Sequence, residues 1–317
     1  MSKTTMSQRA FRARQRYRTK FGAAYEGDSL ELLTALPDES VQAIITSPPF
    51  ALKHKKRYGN PTEDKYVEWF LGFVPEFRRV LKQDGSLVID IGGAWMPGSP
   101  TRSIYQFELL VTLVRDEAFF LAEEFYWHNR AKLPGPAQWV TVERIRVKDT
   151  VNPIWWLSKT TRPKANNRRV LKPYSESMHE LFRRGYNRGR RPSGHVVGEK
   201  FTVDNGGAIP PNIIEVSNTR SFDSYQVFCR EHAHTTHPAR FPREVPEFFV
   251  KFPTEPGDVV LDPFAGSNMT GAVAERLGRR WLAFEKNADY IEGSIGRFES
   301  ADLRSVAGSQ LSLIASP

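Results

Sequence analysis

The stretch DVVLDPFAGSNMTGAVAERL, residues 258–277, decides how the chain is read. An apolar run ends in Asp262, a short loop PFAGSN follows, and small apolar residues at helical spacing take over after it. That is strand, loop, helix, the repeating unit of a parallel sheet with helices on its faces. Gly266 lets backbone approach a ligand closely, and a helix N-terminus attracts negative charge or polar groups. The next apolar segment, RWLAFEKN, ends in Glu285, an acid placed to accept both hydroxyls of a ribose. The loop lacks the GxGxxG spacing of a diphosphate cradle. A nucleoside without a diphosphate therefore fits better, and a nicotinamide-dependent oxidoreductase is disfavoured. Alone, the loop is also compatible with an ordinary tight turn.

A second stretch removes most of that ambiguity. VQAII runs into TSPPF, residues 46–50. Two prolines end a strand because neither has a backbone N–H to donate, and their fixed φ angles hold the surrounding carbonyls in place. Around them the α/β rhythm is regular. AAYEGD is read as a strand ending at Asp28, SLELLTAL as a helix capped by Ser29, and YVEWFLGFVPEFRRVLK as an amphipathic helix interrupted by Pro75. GSLVID is a strand ending at Asp90 before a glycine pair, FELLVTLVRDEAFFL a helix, and AEEFYWHN a strand. The rhythm fails over 160–231, rich in Pro, Gly, Arg and Asn, and resumes at His237 with PREVPEFFVKF, a helix with Pro242 at its first turn. The expected divisions are a basic arm over 1–22, one half of an α/β domain over 23–159, an insertion over 160–231, the other half over 232–299, and a frayed tail over 300–317.

The chain has 317 residues, a net charge of +9, and one cysteine, Cys229. One cysteine excludes an internal disulfide and a cysteine-based zinc cluster, and a reducing, cytoplasmic location is the expectation. No apolar run is long enough to span a membrane, and the N-terminus has no apolar core behind its charges. His232, His234 and His237 lie close together, but no metal is expected. Residues 1–20 carry seven Lys or Arg and no acid, and residues 159–191 carry eleven against two. Tyr and Asn are interleaved with the second group, as suits a surface that binds phosphates and reads base edges. Candidate nucleic-acid contacts are Arg162, Lys164, Arg168, Arg169, Arg183, Arg184 and Arg188 there, and Lys53, Lys55, Lys56 and Arg57 after the double proline.

Together DPFAGSN with Glu285 and TSPPF resemble the cofactor loop and the catalytic motif of the amino-methylating DNA methyltransferases. The family's catalytic motif is Asp, Asn or Ser, then Pro-Pro and an aromatic residue. The serine form is typical of cytosine-N4 enzymes, and Asp-Pro-Pro-Tyr of adenine-N6 enzymes. Catalytic motif first and cofactor loop last is the order of the β group, whose target-recognition region lies between the two. The resemblance covers residues 23–299. It implies a Rossmann-like α/β methyltransferase fold, a seven-stranded mostly parallel sheet in which the strands before TSPPF and DPFAGS are neighbours. It implies S-adenosyl-L-methionine as cofactor, held by Asp28, His237, Phe241, Asp262, Pro263, Phe264, Ala265, Gly266, Ser267, Asn268 and Glu285. HPARFP, residues 237–242, matches the segment beside the methionine part. It implies double-stranded DNA as substrate and a modification role in a restriction–modification system, beside a cognate endonuclease that acts on the same site without being bound.

The chemistry then assigns roles. The cytosine amino group is a poor nucleophile, because its lone pair is delocalised into the ring. Ser47 and the rigid Pro48 carbonyl, backed by Pro49, are the candidate acceptors that localise it, and Asp90 is a candidate partner of Ser47. A base inside a duplex is out of reach and must be flipped out, with Phe50 stacking on it and Trp127 opposite. Three alternatives stand beside this expectation: an adenine-N6 enzyme, an RNA methyltransferase, and a catalytically inactive DNA-binding protein of the same fold. A carbon-5 cytosine methyltransferase would need a cysteine nucleophile after a proline, whereas Cys229 follows Phe228 and reads as a small buried residue.

Overall fold

The computed structural model describes residues 14–51, 61–185, 203–219 and 223–298, with 189–190, 192, 194 and 196–197 between them. Its strands are β1 (Arg14–Arg18), β2 (Gly22–Glu26), β3 (Val41–Thr46), β4 (Leu81–Asp90), β5 (Phe120–His128), β6 (Val151–Ser158), the short pair β7 (Gly189–Arg190) and β8 (Val196–Val197), β9 (Ile213–Glu215), β10 (Val259–Asp262) and β11 (Arg280–Glu285). All but β7 and β8 join one nine-stranded sheet in the order β1-β2-β11-β10-β3-β4-β6-β5-β9. The run β2 to β4 is parallel, β6 turns back antiparallel between β4 and β5, and β1 and β9 extend the two edges. The seven strands from β2 to β5 are the expected sheet.

The helices are α1 (Ser29–Thr34), α2 (Tyr66–Leu71), α3 (Val74–Val80), α4 (Tyr105–Arg115), α5 (Glu176–Arg184), α6 (Ser224–Glu231), α7 (Glu244–Lys251), α8 (Met269–Arg276) and α9 (Ala288–Gly293). Side chains alternate across a strand, so the buried strand β3 feeds two cores. Ile44 joins Leu32, Phe70, Phe77 and Leu109 of α1 to α4 on one face. Ile45 joins Val245 and Phe249 of α7, Val273 of α8 and Ile291 of α9 on the other. From β3 the chain moves on to β4, and from β10 it moves the other way to β11. The adjacent carboxyl ends of β3 and β10 are therefore a switch point, where open α/β sheets leave a crevice.

Several elements differ from the sequence reading. VNPIWWLS forms β6, unforeseen because Pro153 interrupts an otherwise apolar run. β1 lies within the stretch read as a basic arm. Gln15 and Tyr17 are buried there while Arg14 and Arg18 are exposed, and the largely buried Arg16 pairs through Nη1 with Glu292 at 2.6 Å. The α4 helix stops at Arg115, and Phe120 already belongs to β5. The helix expected around Pro75 breaks earlier, at Gly72–Phe73, and Pro75 sits in the first turn of α3. Asp28, not Ser29, caps α1, accepting from the Leu30 amide at 3.0 Å. The insertion does not leave the sheet throughout. β9 returns as an edge strand beside β5, and α6 packs on the turn after α9 with Tyr225 and Cys229 buried. The tail from 299 and the arm before 14 lie outside the described residues.

Candidate active site

Pairing of β3 with β10 brings together two motifs that are far apart in sequence. Thr46 Oγ1, at the end of β3, donates to Asp262 Oδ1, at the end of β10, at 2.8 Å. The Phe264 amide donates to the same oxygen at 3.1 Å. Burial nevertheless dominates and pushes the Asp262 carboxyl up to about 6. The Ser29 hydroxyl donates to the Pro263 carbonyl, and the Ala265 amide to the Phe284 carbonyl at 2.9 Å, so the loop is pinned on both sides.

Gly266 has φ +51°, and a Cβ there would stand 3.1 Å from the His237 imidazole. Glycine thus takes this left-handed conformation without strain and keeps the contact with His237 free of a Cβ. The Gly266 amide donates to Glu285 Oε2 and the Asn287 amide to Oε1, each at 2.8 Å. The buried Glu285 is held with both oxygens oriented, and burial raises its pKa. His237 packs edge-on against Tyr290 at 4.7 Å, and its amide bonds the Tyr225 hydroxyl at 2.8 Å. Phe264 lies against Trp69 and Phe73, with ring centroids 5.6 and 5.1 Å apart.

The second half of the site faces this loop. Ser47 Oγ donates to Asp90 Oδ2 at 2.9 Å. Asn152 of β6 donates to Asp90 Oδ1 at 3.4 Å, and Lys132 Nζ donates to Asn152 Oδ1 at 3.3 Å. Asp90 is 2% exposed, and burial pushes its carboxyl up to about 7 against these opposing contacts. Phe50 lies over Gly92, where a Cβ would be 2.5 Å from its ring. Only glycine gives that ring its place. Both halves line one cavity of about 550 Å³, a size typical of small-molecule sites.

The cavity brings together Asp28, Ser47, Pro48, Pro49, Phe50, Asp90, Trp127, His237, Phe241 and 262–267 with Glu285. Other expected residues have different work. Asn268, fully buried at φ +51°, caps α8 through the Gly271 amide at 3.1 Å and donates to the Tyr17 hydroxyl at 2.8 Å. Trp127 borders the cavity but is only 7% exposed, and its indole N–H is spent on the Val216 carbonyl. It is a wall rather than a free stacking ring. Lys164 binds Asp258 at 2.7 Å and Glu255 at 3.0 Å, while Arg169 donates to the Thr254 carbonyl at 3.0 Å and pairs with Glu255. Those partners precede β10, at the end of the sheet opposite the site, so both cations tie the insertion to the body. Arg183 and Arg184 pair with Glu180 along an exposed face of α5, and Arg162 and Arg168 are exposed. Lys53, Lys55, Lys56, Arg57 and Arg188 lie outside the described residues.

Sequence reading missed Asn152 and Lys132, which form a hydrogen-bond chain to Asp90 only on folding. It also missed Trp95, a wall of the cavity that packs on Trp139 at 5.2 Å. A tryptophan just after the glycine pair was the available signal. Among the described residues no group of three His, Cys, Asp or Glu could hold a metal ion, and no helix is long and apolar enough to cross a membrane. His234 pairs with Asp289 at 2.9 Å, and His232 stacks on Phe228.

A switch-point cavity with an oriented ribose-type acid at one end and a Ser–Asp pair beside a double proline at the other defines a group-transfer enzyme that uses a nucleoside cofactor. The family model described as DNA methylase, covering N6- and N4-methyltransferases, matches residues 41–296, and the chain belongs to that family. It is 50% identical over 285 residues to the Type II methyltransferase M.PvuII of Proteus hauseri, covering 89% of this chain and 85% of that one. It is 28% identical to M.BglII of Bacillus subtilis, covering 84% of this chain and 66% of that one. The solved structure of the PvuII DNA methyltransferase (cytosine-N4-specific) superposes with a TM-score of 0.75 at 42% identity, covering 96% of this chain and 93% of that one.

Proposed function

We propose that the chain is a site-specific DNA methyltransferase that transfers the methyl group of S-adenosylmethionine to the exocyclic N4 of a flipped-out cytosine. It acts in the bacterial cytoplasm on nucleoid DNA, as the modification half of a restriction–modification system whose nuclease shares the site without being bound. The observation that carries this reading is the Ser47–Asp90 hydrogen bond, 2.9 Å, in the same cavity as the Asp262–Glu285 loop. The relatives' names agree with it.

The cavity suits the cofactor. Gly266 carries no side chain and lines the cavity, so its backbone can lie against a ligand, and Asp28, Asp262 and Glu285 offer carboxylates to hydroxyls, an amino group and a cationic centre. Bound there, S-adenosylmethionine supplies an electrophilic sulfonium methyl group. Glu285 would accept from the ribose hydroxyls and Asp28 from the adenine amino group, with Phe264, Trp69 and Phe73 as an apolar wall. His237 and Phe241 border the opposite side.

At the other end Ser47 Oγ and the Pro48 carbonyl accept from the two amino hydrogens of cytosine. This localises the nitrogen lone pair and directs it along one line. As the methylated nitrogen becomes cationic, one amino proton passes to Ser47 Oγ while the Ser47 hydroxyl proton passes to the Asp90 carboxylate through the 2.9 Å bond, and with a carboxyl near 7 Asp90 can hold that proton and later release it. Phe50, seated on Gly92, stacks on the base.

The test is to incubate the protein with duplex DNA and methyl-labelled cofactor, then digest to nucleosides. Label in N4-methylcytosine is expected. Label only in N6-methyladenine would transfer the assignment to the amino group of adenine, and no label on any DNA would remove it.

A further inference from the structure

Residues 129–150, which connect β5 to β6, carry a feature that methyl transfer itself does not use. Leu133 is 83% exposed yet borders the catalytic cavity. Val142 and Val147 of the same segment are also exposed, and what sets Leu133 apart is its place at the rim of the reaction cavity. Its position is fixed on both sides. Lys132 before it reaches Asn152 at 3.3 Å, and Asn152 reaches Asp90 at 3.4 Å. The Lys132 amide bonds the Asn129 carbonyl at 3.2 Å, and Asn129 Oδ1 accepts from the Ala131 amide at 3.1 Å. After it comes Pro134-Gly135-Pro136, in which each proline fixes its φ. Leu133 is therefore an apolar knob on a constrained turn, one residue from the hydrogen-bond chain that ends on the catalytic acid.

The charge around it names the partner. Between 129 and 150 stand Arg130, Lys132, Arg144, Arg146 and Lys148, against Glu143 and Asp149; Asp149 pairs with Arg102 at 2.6 Å and Arg130 with Glu215 at 3.0 Å, so the loop's excess positive charge comes from Lys132, Arg144, Arg146 and Lys148. A basic loop suits a polyanion, and an apolar tip among its cations suits the base stack of that polyanion. Proteins that unstack bases insert such apolar wedges between base steps.

We propose that Leu133 enters the duplex at the target site and fills the space that the cytosine leaves when it swings into the cavity. Loop cations neutralise the flanking phosphates. Leu133 is then a positioning residue: it touches the neighbouring bases and the unpaired partner, not the reacting atoms. By occupying the gap it opposes return of the base. This inference rests on the DNA-methylation reading above.

The experiment compares wild type with Leu133→Ala on two duplexes carrying the chain's mapped methylation site. In one the target cytosine is paired with guanine; in the other it faces an abasic position, so that extrusion costs less. Transfer to the paired duplex by the wild-type chain tests the functional reading by itself, and the ratio between duplexes tests Leu133. On the paired duplex the variant's single-turnover rate should fall about 10- to 100-fold, the worth of one apolar side chain withdrawn from water. On the abasic duplex most of that loss should disappear, with cofactor affinity unchanged. Equal losses on the two duplexes, or no loss on the paired one, would overturn the proposal. So would a second copy of the chain covering Leu133, seen as a dimer that the alanine variant dissociates.

Discussion

Replacing Asp90 by Asn should make the protein more stable in a strongly pH-dependent way. Asp90 is buried among β3, β4 and β6, and its carboxyl titrates near 7 instead of 3.8. In the unfolded chain it loses its proton around pH 4, whereas in the native state it keeps it until about pH 7. Between those values the native state binds more protons, so stability falls as pH rises. The loss is complete above pH 7 and absent below pH 4. At about 1.4 kcal/mol per pH unit over roughly three units, Asp90 costs about 4 kcal/mol at pH 8. Asn has the same shape, accepts from Ser47 through its carbonyl, and carries no charge at any pH. The unfolding free energy of Asp90→Asn minus that of wild type should therefore rise by about 4 kcal/mol from pH 4 to pH 8. Asp262 and Glu285 also titrate upward but are present in both proteins and cancel. Equilibrium urea unfolding, followed by the fluorescence of the buried Trp155 and Trp281, gives the difference at each pH. A flat or falling difference would refute the assignment of a proton-holding carboxyl to this site. The gain comes with lost turnover, as when a strained functional group is relieved.

Two further perturbations separate site from scaffold. Gly92→Ala should displace the Phe50 ring, cost about 1–3 kcal/mol of stability in overpacking, and lower methylation while leaving cofactor affinity intact. Thermal unfolding, methyl transfer and cofactor titration read the three quantities, and an unchanged methylation rate would deny Phe50 its role. Lys164→Ala and Arg169→Ala should each lower stability, because largely buried Asp258 loses the Lys164 ammonium and the Thr254 carbonyl loses Arg169. They should leave the salt dependence of DNA binding unchanged; a slope reduced by about 0.9 in log–log terms would restore them as phosphate contacts.

These residues also show where sequence reading succeeds and where it stops. TSPPF and DPFAGS were legible because each is a local device, a rigid strand end or a glycine turn whose chemistry is carried by adjacent residues. Their meeting followed from the fold that the resemblance implied, and the Thr46–Asp262 bond realises it. β1 was hidden because its alternation, Gln15 and Tyr17 inward, runs through arginines that read as a charge run. β6 was hidden by Pro153, tolerated because the strand's bonds to β4 and β5 continue around it. Lys164 and Arg169 looked like nucleic-acid contacts because their acidic partners lie some ninety residues further along the chain. Nothing local distinguishes a cation paired in the fold from one facing a ligand. Asn152 and Lys132 were missed for the same reason, since a hydrogen-bond chain to Asp90 exists only once three separate segments pack.

The central claim is that one cavity binds the cofactor at its loop end and activates the amino group at Ser47. Ser47→Ala tests it most directly, with cofactor dissociation constant and single-turnover methylation rate measured on the same preparation. The Ser47 hydroxyl is bonded to Asp90, so the rate should fall about 100-fold, the loss typical of one oriented polar group at a reacting centre, with cofactor affinity held within about twofold. Equal losses of rate and affinity would contradict it.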